Sequence, residues 1–146
     1  MDVTRETAPE PGRQRNGQQI VTREVPRREW PAFFDMFGRQ HQSWLVTVEL
    51  FGPEIGAQVE VRDRPLGGIT AELGHGRDDS IVLFLGAMPS ELTHIVNRPT
   101  HVWLKQTTAG VDQAVAIERD GGPTTLLRLR SPMLLEMVDD FVVWGR

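Results

Sequence analysis

From residue 43 to residue 130 the chain is a succession of short runs in which apolar and polar side chains alternate, and nearly every junction between runs carries Gly, Pro, Asp or Asn. Alternation with period two puts one set of side chains on each face of a strand, and the junction residues are those that tight turns demand. Such runs are too short and too closely spaced for crossover helices. They predict neighbouring antiparallel strands with one buried face.

The runs can be placed individually. Residues 19–25 form a short candidate strand. Trp44, Val46, Val48 and Leu50 alternate with Leu45, Thr47, Glu49 and Phe51, while Ala57, Val59 and Val61 alternate with Gln58, Glu60 and Arg62. Pro53 and Gly56 mark the loop between these two runs, and residues 63–68 mark the next. Ile69, Ala71 and Leu73 then point one way, Thr70 and Glu72 the other. After a turn at residues 74–79, residues 81–85 are continuously apolar, the pattern of a central strand covered on both faces. Residues 93–96 and 101–106 read as the next pair, and residues 114–119 and 124–130 as the last, joined through Asp120-Gly121-Gly122-Pro123. About seven strands result. Connections this short predict an antiparallel meander, which is expected to curl into a partly closed barrel that protects its edges.

Two helices flank this region. Trp30, Phe33, Phe34 and Phe37 stand at i, i+3, i+4 and i+7, one aromatic face suited to docking on the sheet, with Pro31 tolerated in the first turn. Ser131-Pro132 supplies a capping residue followed by Pro, and Leu134, Leu135, Val138, Phe141 and Val142 recur at helical spacing, so a C-terminal helix is expected to pack on the sheet. The stretch 141–144 also suits a terminal strand. Residues 1–18 offer only Val3 and Ala8 for burial and read as a disordered tail. The expected architecture is therefore one α+β domain over residues 19–146, an antiparallel sheet with an N-terminal and a C-terminal helix.

Composition removes whole classes of function. A net charge of −4 gives no long-range attraction to phosphate backbones or anionic membranes, so neither nucleic acid nor a membrane is an expected partner. With no Cys there is no disulfide, thiolate nucleophile or sulfur-based zinc site. The first thirty residues hold no signal-like apolar run and no stretch approaches the roughly 20 apolar residues that span a bilayer, which points to the cytoplasm.

Sequence-local catalytic signatures are missing: no GxxxxGK[ST], no GxGxxG between strand and helix, no GxSxG, no HExxH and no EF-hand spacing. No cofactor and no metal is expected. One constellation has geometric content. If Asn97 and Arg98 centre a two-residue turn, His94 faces His101 across a hairpin, and two facing imidazoles suit an acid/base pair or two ligands of a metal. A third ligand is lacking, because Glu91 has the parity of the opposite face, and Pro99 lacks the N–H that a hairpin ladder would use. Trp103 points outward if Val102 and Leu104 point in, making it a candidate recognition residue. His94, Arg98, His101 and Trp103 are thus the candidate ligand or partner surface. Asp78-Asp79 and Asp139-Asp140 read as solvated pairs, since adjacent carboxylates diverge.

The segments Arg23-Glu24-Val25-Pro26-Arg27-Arg28-Glu29-Trp30-Pro31, Trp44-Leu45-Val46-Thr47-Val48-Glu49, Leu66-Gly67-Gly68-Ile69, Thr93-His94-Ile95 with Arg98-Pro99-Thr100, and Thr124-Thr125-Leu126-Leu127-Arg128 before Ser131-Pro132 carry a resemblance over residues 21–138. Together they resemble the bacterial family known as domain of unknown function 5335, which implies no activity, cofactor or catalytic residues. The residues themselves favour a non-enzymatic binding or assembly module acting through protein–protein contact, with a homodimer through residues 141–144 as one form. The alternative is a small-molecule-binding or catalytic β-barrel with a site near His94, Arg98 and His101.

Overall fold

A computed structural model describes residues 19–75, 78–87 and 89–131. In chain order these form β1 (Ile20–Val25), a 3-10 turn (Arg27–Glu29), α1 (Trp30–Gln40), β2 (Leu45–Gly52), β3 (Gly56–Glu72), β4 (Ser80–Leu85), β5 (Leu92–Asn97), β6 (Pro99–Thr107), β7 (Asp112–Arg119) and β8 (Thr124–Arg130). The expected C-terminal helix and the expected tail of residues 1–18 lie outside the described residues.

The aromatic spacing builds α1 as anticipated. Pro31 sits in the first turn, where its missing N–H removes no helix bond. Trp30, Phe34 and Phe37 are buried and Phe33 partly so, each fully buried aromatic contributing about 2 kcal/mol of burial. The indole N–H of Trp30 donates to the Val25 carbonyl at 2.8 Å, so its polar tip is satisfied inside the core. Gly38 lets the helix lie directly on β3, since a Cβ there would stand 3.2 Å from Ile69 Cγ2.

All eight strands join one antiparallel sheet in the order β1-β6-β7-β8-β2-β3-β4-β5. Two meanders, β6-β7-β8 and β2-β3-β4-β5, are fused by the β2–β8 ladder, and β1 is added at the far edge against β6. The expected simple meander of about seven strands is thereby corrected. Residues 63–68, expected to be a loop, lie inside the 17-residue strand β3. Asp63 has φ 52°, and the strand exchanges partners here, pairing with β2 up to Pro65 and with β4 from Leu66. Its backbone stays bonded through the bend: Leu66 N–H donates to the Trp44 carbonyl at 2.8 Å and Gly86 N–H to the Pro65 carbonyl at 2.7 Å. Gly67 allows the Phe84 carbonyl to approach within 3.2 Å of where a Cβ would stand. The Pro and Gly residues here produce a bend between two ladders, not a reversal.

The second correction concerns residues 93–96 and 101–106. Their strands β5 and β6 do not pair: β5 pairs with β4, and β6 with β1 and β7. Only Arg98 separates them, with φ 53°. Because that single residue links one edge of the sheet to the strand next to the other edge, the sheet must curl until its two ends approach, and β5 does contact β7. No ladder joins the ends, however, so the sheet stays open and the expected partly closed barrel is not formed.

Curling gives the sheet a concave face, and one core cluster fills it. Val46, Val48, Leu66, Ile69, Ile81, Leu83, Leu85, Val96, Val102, Leu104, Val115, Ile117 and Leu127 meet Val25 and the α1 aromatics there. β4, expected to be covered on both faces, is covered on one: Ile81, Leu83 and Leu85 are buried whereas Phe84 is 36% exposed. No helix among the described residues is long and apolar enough to cross a membrane.

Candidate functional site

The single residue between β5 and β6 organises one end of the sheet. Arg98 N–H donates to the Asp79 carbonyl at 3.0 Å, and the Arg98 carbonyl accepts from Asp120 N–H at 2.9 Å. Its guanidinium lies 3.9 Å from the Asp120 carboxylate, and Arg119 Nε donates to the Asn97 carbonyl at 3.1 Å. Asp79, read from sequence as a solvated residue, is instead 6% exposed. The Arg27 guanidinium grips it at 2.6 and 2.8 Å, and Gly74 N–H donates to the same carboxylate at 2.9 Å. The Arg27 hydrogen bonds hold the Asp79 carboxyl below the usual carboxylate range, burial opposes them, and the Gly74 N–H adds to the lowering. Asp79 thus fastens the start of β4 to the turn that opens α1, which explains its burial. A shallow hollow of about 420 Å³ beside this clamp is lined by Asp78, Asp79, Asn97 and Arg98.

The candidate residues are distributed over two faces. His94 stands opposite Leu83, a core residue, so it points to the concave side, where it is half-buried. Burial pushes its pKa below 6.5 and the charge of Glu60 partly offsets this, so the imidazole is held toward its neutral form. His101 and Trp103 flank Val102 on β6, and since Val102 and Leu104 are in the core they point to the convex side. There the His101 and Trp103 rings stack at 6.1 Å and 16°, and His101 Nδ1 lies 3.2 Å from Glu118 on β7. The structure therefore brings His101 together with Trp103 and leaves His94 on the other side of the sheet. Arg98 sits at the junction between them and belongs to the Asp79–Asp120 end.

Trp103 also borders a second apolar cluster on the convex face, with Ala114, Ala116, Leu126 and Phe51. Sequence reading missed one further polar group, His41. It is 5% exposed, stacked on Phe37 at 4.3 Å and edge-on to Trp44 at 4.6 Å. Its Nδ1 lies 2.8 Å from the Phe37 carbonyl and its Nε2 3.2 Å from Asp112, which also accepts from Gln106 at 2.7 Å. Through these contacts at both ring nitrogens the group ties the end of α1 to β6 and β7. Among the described residues, no three His, Asp or Glu side chains are gathered as a cation site.

A further exposed feature is β5 itself. Of the described strands only β4 pairs with it, so one side of its backbone has no ladder partner among the described residues, although its Asn97 carbonyl accepts from Arg119 Nε. Leu92 is 41% exposed, Ile95 53%, and Phe84 lies on the neighbouring strand. Leu92–Asn97 contains no Lys, Arg, Asp, Glu, Pro or Gly. The opposite edge, β1, carries Arg23 and Glu24.

Comparisons with known proteins agree with the resemblance read from sequence. An uncharacterized protein of Aquifex aeolicus (strain VF5) is 22% identical over 102 residues, covering 70% of this chain and 86% of that protein. No solved structure gives a significant match. The sequence model of the family of unknown function DUF5335 matches residues 21–138, a span holding every described strand and α1 except the first residue of β1, and the chain belongs to that family.

Proposed function

We propose that this protein is a non-enzymatic binding and assembly module, and that its contact is the open edge of β5 pairing antiparallel with β5 of a second copy. The observation carrying this reading is the edge of β5 that no described strand covers. Natural sheets blunt an exposed edge with charge, Pro, bulges or a covering element, because its free N–H and C=O groups otherwise recruit another strand. β1 carries such charges. β5 is regular over six residues, uncharged, and set beside the exposed Ile95, Leu92 and Phe84. Two-fold pairing satisfies the open backbone groups of both copies and covers those side chains in one step. The alternative, a small-molecule or catalytic barrel near His94, Arg98 and His101, has less support, since His94 and His101 occupy opposite faces and the sheet is open.

Light scattering over a micromolar concentration series tests the proposal. The expected mass is twice the 16.5 kDa of the chain, returning to 16.5 kDa in Ile95→Lys, while Val21→Lys on β1 leaves the dimer intact. A wild-type chain that stays at 16.5 kDa throughout, or an Ile95→Lys variant that dimerises as the wild type does, overturns it.

A further inference from the structure

The convex face of the sheet carries a groove that the β5 edge does not use. Its floor is β7, where Ala114 and Ala116 point away from the core. Ladder register sets Trp103 and Lys105 of β6 along one side and Leu126 and Arg128 of β8 along the other: Trp103 and Leu126 both stand opposite Ala116, and Lys105 and Arg128 both stand opposite Ala114. Two small residues between four long ones make a channel, apolar at the Ala116 end and bounded by Lys105 and the Glu49-paired Arg128 at the Ala114 end. Ala114, Ala116 and Leu126 are 5%, 8% and 9% exposed, although α1 packs against β3. Arg128 keeps its head half in solvent, with Glu49 at 3.3 Å.

We propose that this groove is the seat of the chain's own C-terminal segment, residues 132–146. Three observations converge on that occupant. First, the chain leaves β8, one wall of the groove, at Arg130, so the segment starts beside its seat. Second, its length fits: fifteen residues in helical form reach about 22 Å, against about 26 Å for the eight residues of β7. Third, its chemistry complements the channel. Leu134, Leu135, Val138 and Phe141 recur at helical spacing, while Glu136, Asp139 and Asp140 fall on the other side of such a helix, away from the groove. The apolar stripe covers Ala116, Trp103 and Leu126. This seat does not involve the β5 edge, which belongs to another strand.

The absence of cysteine makes the test direct. In the full chain, Ala116→Cys is combined in turn with Leu134→Cys, Leu135→Cys, Val138→Cys or Phe141→Cys, and with Glu136→Cys or Asp140→Cys as comparisons. After oxidation in dilute solution, an intramolecular disulfide is expected at one or more apolar positions, at least five-fold faster than at the acidic ones. Equal rates at both kinds of position, or disulfides only between chains, overturn the proposal. Hydrogen exchange on the cysteine-free chain gives a second reading. Amides of residues 132–146 are expected to exchange at least ten-fold slower than in the Ala116→Glu variant, and exchange at unstructured-peptide rates in the wild type overturns the proposal as well.

Discussion

Asp79 shows how one buried carboxylate makes the fold sensitive to acid. Its folded pKa is depressed, so it contributes stability that is complete above about pH 4 and is lost as pH falls through the folded value. Asp79→Asn is expected to cost about 1–3 kcal/mol at pH 7, from loss of the charge-assisted bonds to Arg27 and a weakened acceptor for Gly74 N–H. Urea titrations from pH 7 down to pH 2 should show the two proteins converging below about pH 4. His94 acts in the other direction on the pH axis. Its folded pKa lies below 6.5, so the unfolded chain binds the proton first and stability rises as pH climbs toward and through about 6.5. His94→Gln is expected to flatten that rise between pH 5 and 7 relative to the wild type, in the same titrations. The outward direction of Trp103 was legible from sequence because Val102 and Leu104 alternate with it. The burial of Asp79 and the contact of His41 with Asp112 were not, because each depends on a partner far away in the chain that local pattern cannot locate.

At the scale of elements, α1 was legible in full: four aromatics at helical spacing and a Pro at the start leave few alternatives. Gly38 adds what periodicity omits, the closeness of the helix to β3. Gly38→Leu is expected to destabilise by about 1–3 kcal/mol in chemical denaturation, because Ile69 and the β3 backbone stand where the new side chain must go. The strands were individually readable, yet the bend of β3 was mistaken for a loop because Asp63, Pro65, Gly67 and Gly68 are the residues a turn also uses. What separates the two is tertiary, the transfer from the β2 ladder to the β4 ladder. The β5–β6 junction failed for a related reason. Arg98 and Pro99 fit a hairpin turn in spacing, but they deliver the chain to another part of the sheet. Arg98→Gly is expected to raise the melting temperature slightly, about 1 kcal/mol of stabilisation, since glycine relieves φ 53° and the Arg98 Nε–Asp120 approach given up is long, 3.9 Å. Arg98→Val, β-branched in the same conformation, is expected to lower it.

For the whole molecule, the arrangement of edges matters more than any single cavity. One end of the sheet carries charge and the other does not, so the proposed self-association would be directed to β5, with a closed two-copy assembly as its natural limit. The same two-ended layout constrains how the protein is made. β1 has β6 as its ladder partner, with Ile20 meeting Thr107, so the first strand to emerge from a ribosome waits until most of the domain has been translated before it can be paired. During that interval β2, β3, β4 and β5 can assemble as a hairpin series, and the opening segment is sewn in only when β6 follows them out, a late stitch in the nascent chain.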